Sequence, residues 1–210
     1  LNGGTIGSLD NNAGGDVDVT GGAVVDAGAA NAGTLDVASG TFDVTDDSLI
    51  NEVGGTLTVA NGATIDATIT NQNGGTANIA GTVTGAVTNA AGGVLTANGA
   101  AANISDIVSN TGTFFVADGS TITVTNGVTN NAAGSLDLAG TLVSNMQNDG
   151  TLTLSDPAGQ ITGTLASTGS IAIDGGETLN VTGGTTVTAG TATINGILLG
   201  DLTVDSGGTL

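Results

Sequence analysis

The chain has 210 residues, of which 19 are acidic and none is Lys, Arg or His, for a formal charge of −19. Nothing in it can neutralise phosphate, so it excludes nucleic acid and anionic headgroups as partners and permits no internal salt bridges between side chains. Without Cys or His it forms no disulfide, thiolate or imidazole metal site or His-dependent triad, and no apolar run approaches the ~20 residues of a membrane span.

What remains is a chain built to bury aliphatic side chains. The apolar share is 39% and mean hydropathy is +0.31, too high for a charged disordered chain. With three Phe and no Tyr or Trp, the core is expected from Val, Ile, Leu and Ala. Gly is 38 against a single Pro, so the glycines read as spaced punctuation rather than as a linker. Trypsin-like proteases, which cut after Lys or Arg, find no site, a property suited to a protease-rich exterior.

In chain order, residues 1–14 read as a fraction of a unit, with Ile6 and Leu9 apolar. From Gly15 a phrase returns: Asn31-Ala-Gly-Thr-Leu-Asp-Val37, Asn51-Glu-Val-Gly-Gly-Thr-Leu-Thr-Val59, Asn71-Gln-Asn-Gly-Gly-Thr-Ala-Asn-Ile79, Asn89-Ala-Ala-Gly-Gly-Val-Leu95 and onward to Asn148-Asp-Gly-Thr-Leu-Thr-Leu154. Markers at Gly15, Gly33, Gly55, Gly75, Gly93, Gly112, Gly134, Gly150, Gly169, Gly190 and Gly208 lie 16 to 22 residues apart, with a mean of about 19. Asn51 with Gly54-Gly55 reads as a turn of residues that tolerate positive φ.

Within a unit the period is 2. After each marker comes an inward apolar pair: Val17/Val19, Leu35/Val37, Leu57/Val59, Ala77/Ile79, Leu95/Ala97, Phe114/Val116 and so on to Ala192/Ile194. A second apolar segment follows, as in Phe42/Val44, Ile122/Val124, Leu179/Val181 and Leu202/Val204. A third precedes the next Asn, at Ile50, Ile69, Val87, Val108, Val128 and Met146. The pattern predicts an all-β, right-handed parallel β-helix (β-solenoid) with about ten coils of about 19 residues and three short strands per coil. It occupies 1–210 as a single continuous segment. Starting without Met and stopping in mid-repeat at Gly207-Gly-Thr-Leu210, the segment reads as an excerpt of a longer repetitive protein.

The Asn-x-x-Gly-Gly-Thr-Leu-x-Val phrase, the Gly/Thr/Asn/Asp-rich composition and the missing Cys resemble passenger domains of bacterial autotransporters and filamentous-haemagglutinin-like adhesins. The resemblance covers nearly all of residues 12–210 and contains no catalytic motif. It implies an export-competent rod on a Gram-negative surface, a stalk or an adhesin.

Candidate chemistry sits on the outward positions Asp18, Asp36, Thr58, Asn78, Thr96, Phe115, Asp137, Thr153, Ala172, Thr193 and Thr203. Most of this column reads as a solvated face. Asp18 and Asp36 would stand one coil apart, about 5 Å. Ca2+ bridging such carboxylates and turn carbonyls is the one cofactor in view, with Asp16, Asp18, Asp36, Asp46 and Asp47 as candidate ligands. No cofactor is required by the pattern. Gly14-Gly-Asp-Val-Asp-Val19 only echoes the repeat of calcium-binding β-rolls. The pairs Asp16/Asp18 and Asp46/Asp47 raise the question of glycoside chemistry. With no cation or large polar aromatic to stabilise charge or stack sugar, catalysis is not expected. Thr-x-Thr phrases suggest an ice-binding face, which the mixed column argues against.

The expectation is therefore a non-catalytic structural rod of a secreted or cell-surface bacterial protein. Its open strand edges would stack on flanking repeats or on copies of itself, end to end. The alternative is an adhesive module whose lateral face recognises glycans or a host protein, and a polysaccharide-active enzyme comes third. Localisation would be extracellular, at the bacterial surface, with no membrane insertion by this segment.

Overall fold

The computed structural model describes the side chains of residues 1–45 and 48–210; those of Asp46 and Asp47 lie outside the described residues. Among the described residues there is no helix, and the fold is a parallel β-solenoid of about ten coils. β-branched Thr, Val and Ile dominate the strands because they pack well on a pleated surface, and period-2 alternation gives each strand one inward and one outward side.

Each coil contributes to three faces. The first runs from Thr5–Ile6 through Ala23–Val25, Thr121–Val124 and Thr141–Val143 to Ile197–Leu199. The second runs from Leu9–Asn11 through Val87–Asn89 and Val128–Asn130 to Leu202–Val204. Two longer strands, Thr41–Asn51 and Thr64–Asn71, continue from the first face into the second. The third face is a separate sheet of ten strands, from Asp16–Val19 to Thr191–Ile194. All pairings are parallel between neighbouring coils, at ~4.8 Å per rung, so ten coils make a rod roughly 50 Å long.

The register follows the glycine markers. Asp16, Thr34, Thr56, Thr76, Val94, Thr113, Ser135, Thr151, Ser170 and Thr191, the residue after each marker, stand in one column on the third face, and Thr209 bridges to Thr191. Inside it, Leu35, Leu57, Ala77, Leu95, Phe114, Leu136, Leu152, Ile171 and Ala192 form a buried column. Because every rung abuts the next, the apolar core is continuous along the axis.

Three details of the sequence reading change. Ile50 points outward, and Leu49 takes the inward slot in register with Ala29 and Ile69. Two adjacent apolar residues hide the parity, and the register resolves it. Leu202 and Val204 belong to the second face, paired with Thr185 and Val187, so Thr203 leaves the proposed outward column and pairs with Thr186. The pair Gly54-Gly55 also divides its work. Gly54 has φ +81° with open space around it, whereas a Cβ on Gly55 would lie 2.2 Å from the Asn31 carbonyl oxygen and 2.6 Å from Asn51 Oδ1. Gly54 is required by backbone conformation and Gly55 by close approach to the coil below.

Candidate functional site

The most organised polar feature lies inside the rod. Asn31, Asn51, Asn71, Asn89, Asn110 and Asn130 end strands of the second face, two residues after a buried apolar side chain. Period 2 therefore turns each Asn inward, and all six are fully buried. Asn51 is thus a strand residue with an inward side chain, not the turn residue its composition suggested. From Asn11 to Asn148 each Nδ2 donates to the Oδ1 of the next Asn along the axis at 2.7–2.8 Å. The other Nδ2 proton reaches a backbone carbonyl at the start of the third-face strand, as Asn51 does to Thr76 at 2.9 Å and Asn71 to Val94 at 3.0 Å.

Eight carboxamides thus form an unbroken hydrogen-bonded ladder that ties each coil to the next at one corner. It ends where Asn148 donates to Ser167 Oγ at 3.1 Å, and Val187 follows in the column. Burial of so many amides is tolerated because each donor has an acceptor. The glycine markers pack against this ladder. A Cβ at Gly75, Gly93 or Gly134 would approach the Oδ1 of Asn71, Asn89 or Asn130 to 2.6, 2.7 and 2.4 Å. The Asn and Gly of the repeated phrase are therefore one structural device. Period 2 together with the recurring apolar-x-Asn triplet was the signal for it, outweighed by the turn preference of Asn.

On the outside, the structure brings Asp18 and Asp36 into register on the third face, while Asp16 stands beside Thr34. Asp46 and Asp47 lie outside the described residues. A second pair, Asp43 and Asp66, meets in register on the first face, and Thr84 Oγ1 donates to Asp66 Oδ1. The apolar-Asp-apolar triplets Phe42-Asp43-Val44 and Ile65-Asp66-Ala67 mark both residues as outward in the sequence, and the register of the two coils is what pairs them. Among the described residues no three acidic side chains come together around one point where a metal could sit. The carboxyl of Asp149 is held below its usual range by the Thr168 hydroxyl first and the Gln147 amide second, each donating at 2.6 Å.

Beyond Asp18 and Asp36 the outward column continues through Thr58, Asn78, Thr96, Phe115 and Asp137 to Thr153, as read from the sequence. Beside it stands the Thr- and Ser-rich column from Thr34 to Thr191, which Val94 interrupts, so the face is not a uniform hydroxyl array. A shallow groove of about 390 Å³ crosses the first face, lined by Asp118, Ser120, Thr121, Thr141, Gln160 and Asn180. The last four are successive rungs of one column. It offers neutral donors and acceptors with one carboxylate.

Set against protein families, characterised proteins and solved structures, the chain gives no match.

Proposed function

We propose that the chain is a non-catalytic structural rod of a secreted or cell-surface bacterial protein, in the manner of an autotransporter passenger or adhesin stalk. The observation that carries this reading is the Asn ladder. Eight buried carboxamides joined head to tail over a continuous apolar core resist both shear between coils and slippage of register. Such investment inside the stack, with small polar side chains outside, suits a spacer. Flanking repeats, or copies of the chain, extend it by pairing with the open strand edges at its ends. Ca2+ is proposed only as a bridge between outward carboxylates.

The groove on the first face favours a second reading, lateral binding of a neutral glycan or host protein. The two separate cleanly. Mounted beneath a reporter domain on a bacterial surface, the rod sets the reporter's height, which falls by ~4.8 Å for each coil deleted in phase. The isolated segment then binds neither a glycan array nor host cells. Saturable binding lost on substitution of Gln160 and Asn180 would replace the spacer reading with the binding one.

A further inference from the structure

Asparagine is used in two chemically distinct ways along this chain. Every ladder Asn is followed by a residue other than Gly: Asn11-Asn12, Asn31-Ala32, Asn51-Glu52, Asn71-Gln72, Asn89-Ala90, Asn110-Thr111, Asn130-Asn131, Asn148-Asp149. All six Asn-Gly steps, at Asn2, Asn61, Asn73, Asn98, Asn126 and Asn195, fall outside the ladder. The distinction matters because an Asn-Gly step is where a backbone nitrogen attacks the preceding carboxamide most readily. Gly offers no side chain to block that approach.

The fold treats the six steps differently. The attacking nitrogen is tied to a neighbouring coil at Gly3, which donates to Gly22 O at 2.6 Å, at Gly74, to Gly92 O at 3.0 Å, and at Gly196, to Ile173 O at 3.0 Å. Gly99 is buried, and a Cβ on it would lie 2.5 Å from the Ala80 carbonyl oxygen, so the Asn98 step is pressed against the coil below. At Asn126 the carboxamide is held by its own hydrogen bond, Nδ2 to Asp106 Oδ1 at 2.8 Å. Asn61 has none of these restraints. It lies with Gly62 in an exposed turn closed by Ala63 N–H to Ala60 O at 3.0 Å, and Gly62 takes φ +82° with nothing near its Cα substituent position.

We infer that Asn61 is a site of spontaneous deamidation built into the outer turn of the rod, while the ladder asparagines are spared. The Gly62 backbone nitrogen bonds to Asn61 Cγ, the Cγ–Nδ2 bond breaks, and ammonia leaves with the proton lost by the Gly62 amide. One solvent water then opens the resulting succinimide at either carbonyl, leaving aspartate or isoaspartate. The conversion needs no enzyme and no further reactant. It adds one negative charge at the surface without touching a hydrogen bond between coils.

The test holds the folded wild-type chain in mildly alkaline buffer and follows each Asn by peptide mapping with a protease that cuts at acidic residues. The same chain in concentrated urea is the control. Asn61 converts about tenfold faster than Asn73 and Asn195 in the folded protein, the factor expected when the others must first give up one backbone hydrogen bond. In urea all the Asn-Gly steps converge on similar rates. Equal rates at Asn61, Asn73 and Asn195 in the folded chain would overturn the assignment. So would an unchanged ranking in urea, which would trace the difference to local sequence rather than to the fold.

Discussion

Asn51 Nδ2 donates to Asn71 Oδ1 at 2.7 Å, and both side chains are fully buried. That bond joins coils 20 residues apart in sequence and repeats on both sides, so the two residues are one rung of a continuous polar spine.

Replacing Asn71 with Ala breaks the spine in the middle. Asn51 Nδ2 loses one acceptor and Asn89 Oδ1 loses its donor, each left in a buried site. An unsatisfied buried group costs ~1–3 kcal/mol, so a loss of about 2–4 kcal/mol is expected. Urea denaturation monitored by circular dichroism measures it. A similar change at the outward Asn78 should fall within ~0.5 kcal/mol.

The adjacent glycines should respond to alanine in unequal measure. Gly54→Ala places a side chain at φ +81° in open space and costs about 1 kcal/mol. Gly55→Ala drives a Cβ into the Asn31 carbonyl and the Asn51 carboxamide, so it costs more and moves the backbone of two coils. Thermal melts of the two variants rank them, and the reverse order would contradict the division of roles.

Asp18 and Asp36 are like charges in register with no Lys, Arg or His side chain to offset them, although the Leu1 ammonium donates to the Asp18 carbonyl oxygen. Asp36→Asn should raise stability by ~0.2–1 kcal/mol at low salt. The gain should vanish near 1 M salt, where the Debye length is about 3 Å. If Ca2+ bridges the pair, millimolar CaCl₂ stabilises the wild type beyond an NaCl control of equal ionic strength and leaves the Asn variant unmoved. Identical Ca2+ responses would remove Asp18 and Asp36 from consideration as ligands.

Asp149 carries a pH signature. Hydrogen bonds from Thr168 and Gln147 favour its carboxylate, so its folded pKa lies below the unfolded value, ~3.9 for Asp. The associated stabilisation is present above the unfolded pKa and disappears as pH falls through the folded one. Thr168→Val removes the larger cause, and the Asp149 titration midpoint, read by carboxyl NMR, should rise.

The coil, its phase and most of its inward column were legible in the sequence because parity and the glycine markers are local signals repeated ten times. Phe114 inward and Phe115 outward follow from the same count. The ladder was hidden because Asn is common in turns and exposed loops, and only the distance between coils shows that its carboxamide can be satisfied inside. Leu49-Ile50 was ambiguous because both neighbours are apolar and pairing alone sets which one turns in. The Asp43–Asp66 pair needed the register of two coils 23 residues apart, longer than the mean repeat.

The most direct measurement is proton exchange of the Asn side-chain amides by NMR. If the ladder holds the rod together, the Nδ2 protons of Asn51, Asn71, Asn89 and Asn110 exchange only through opening of the stack, orders of magnitude more slowly than those of the exposed Asn61. Exchange of the ladder amides as fast as that of Asn61 would contradict the account.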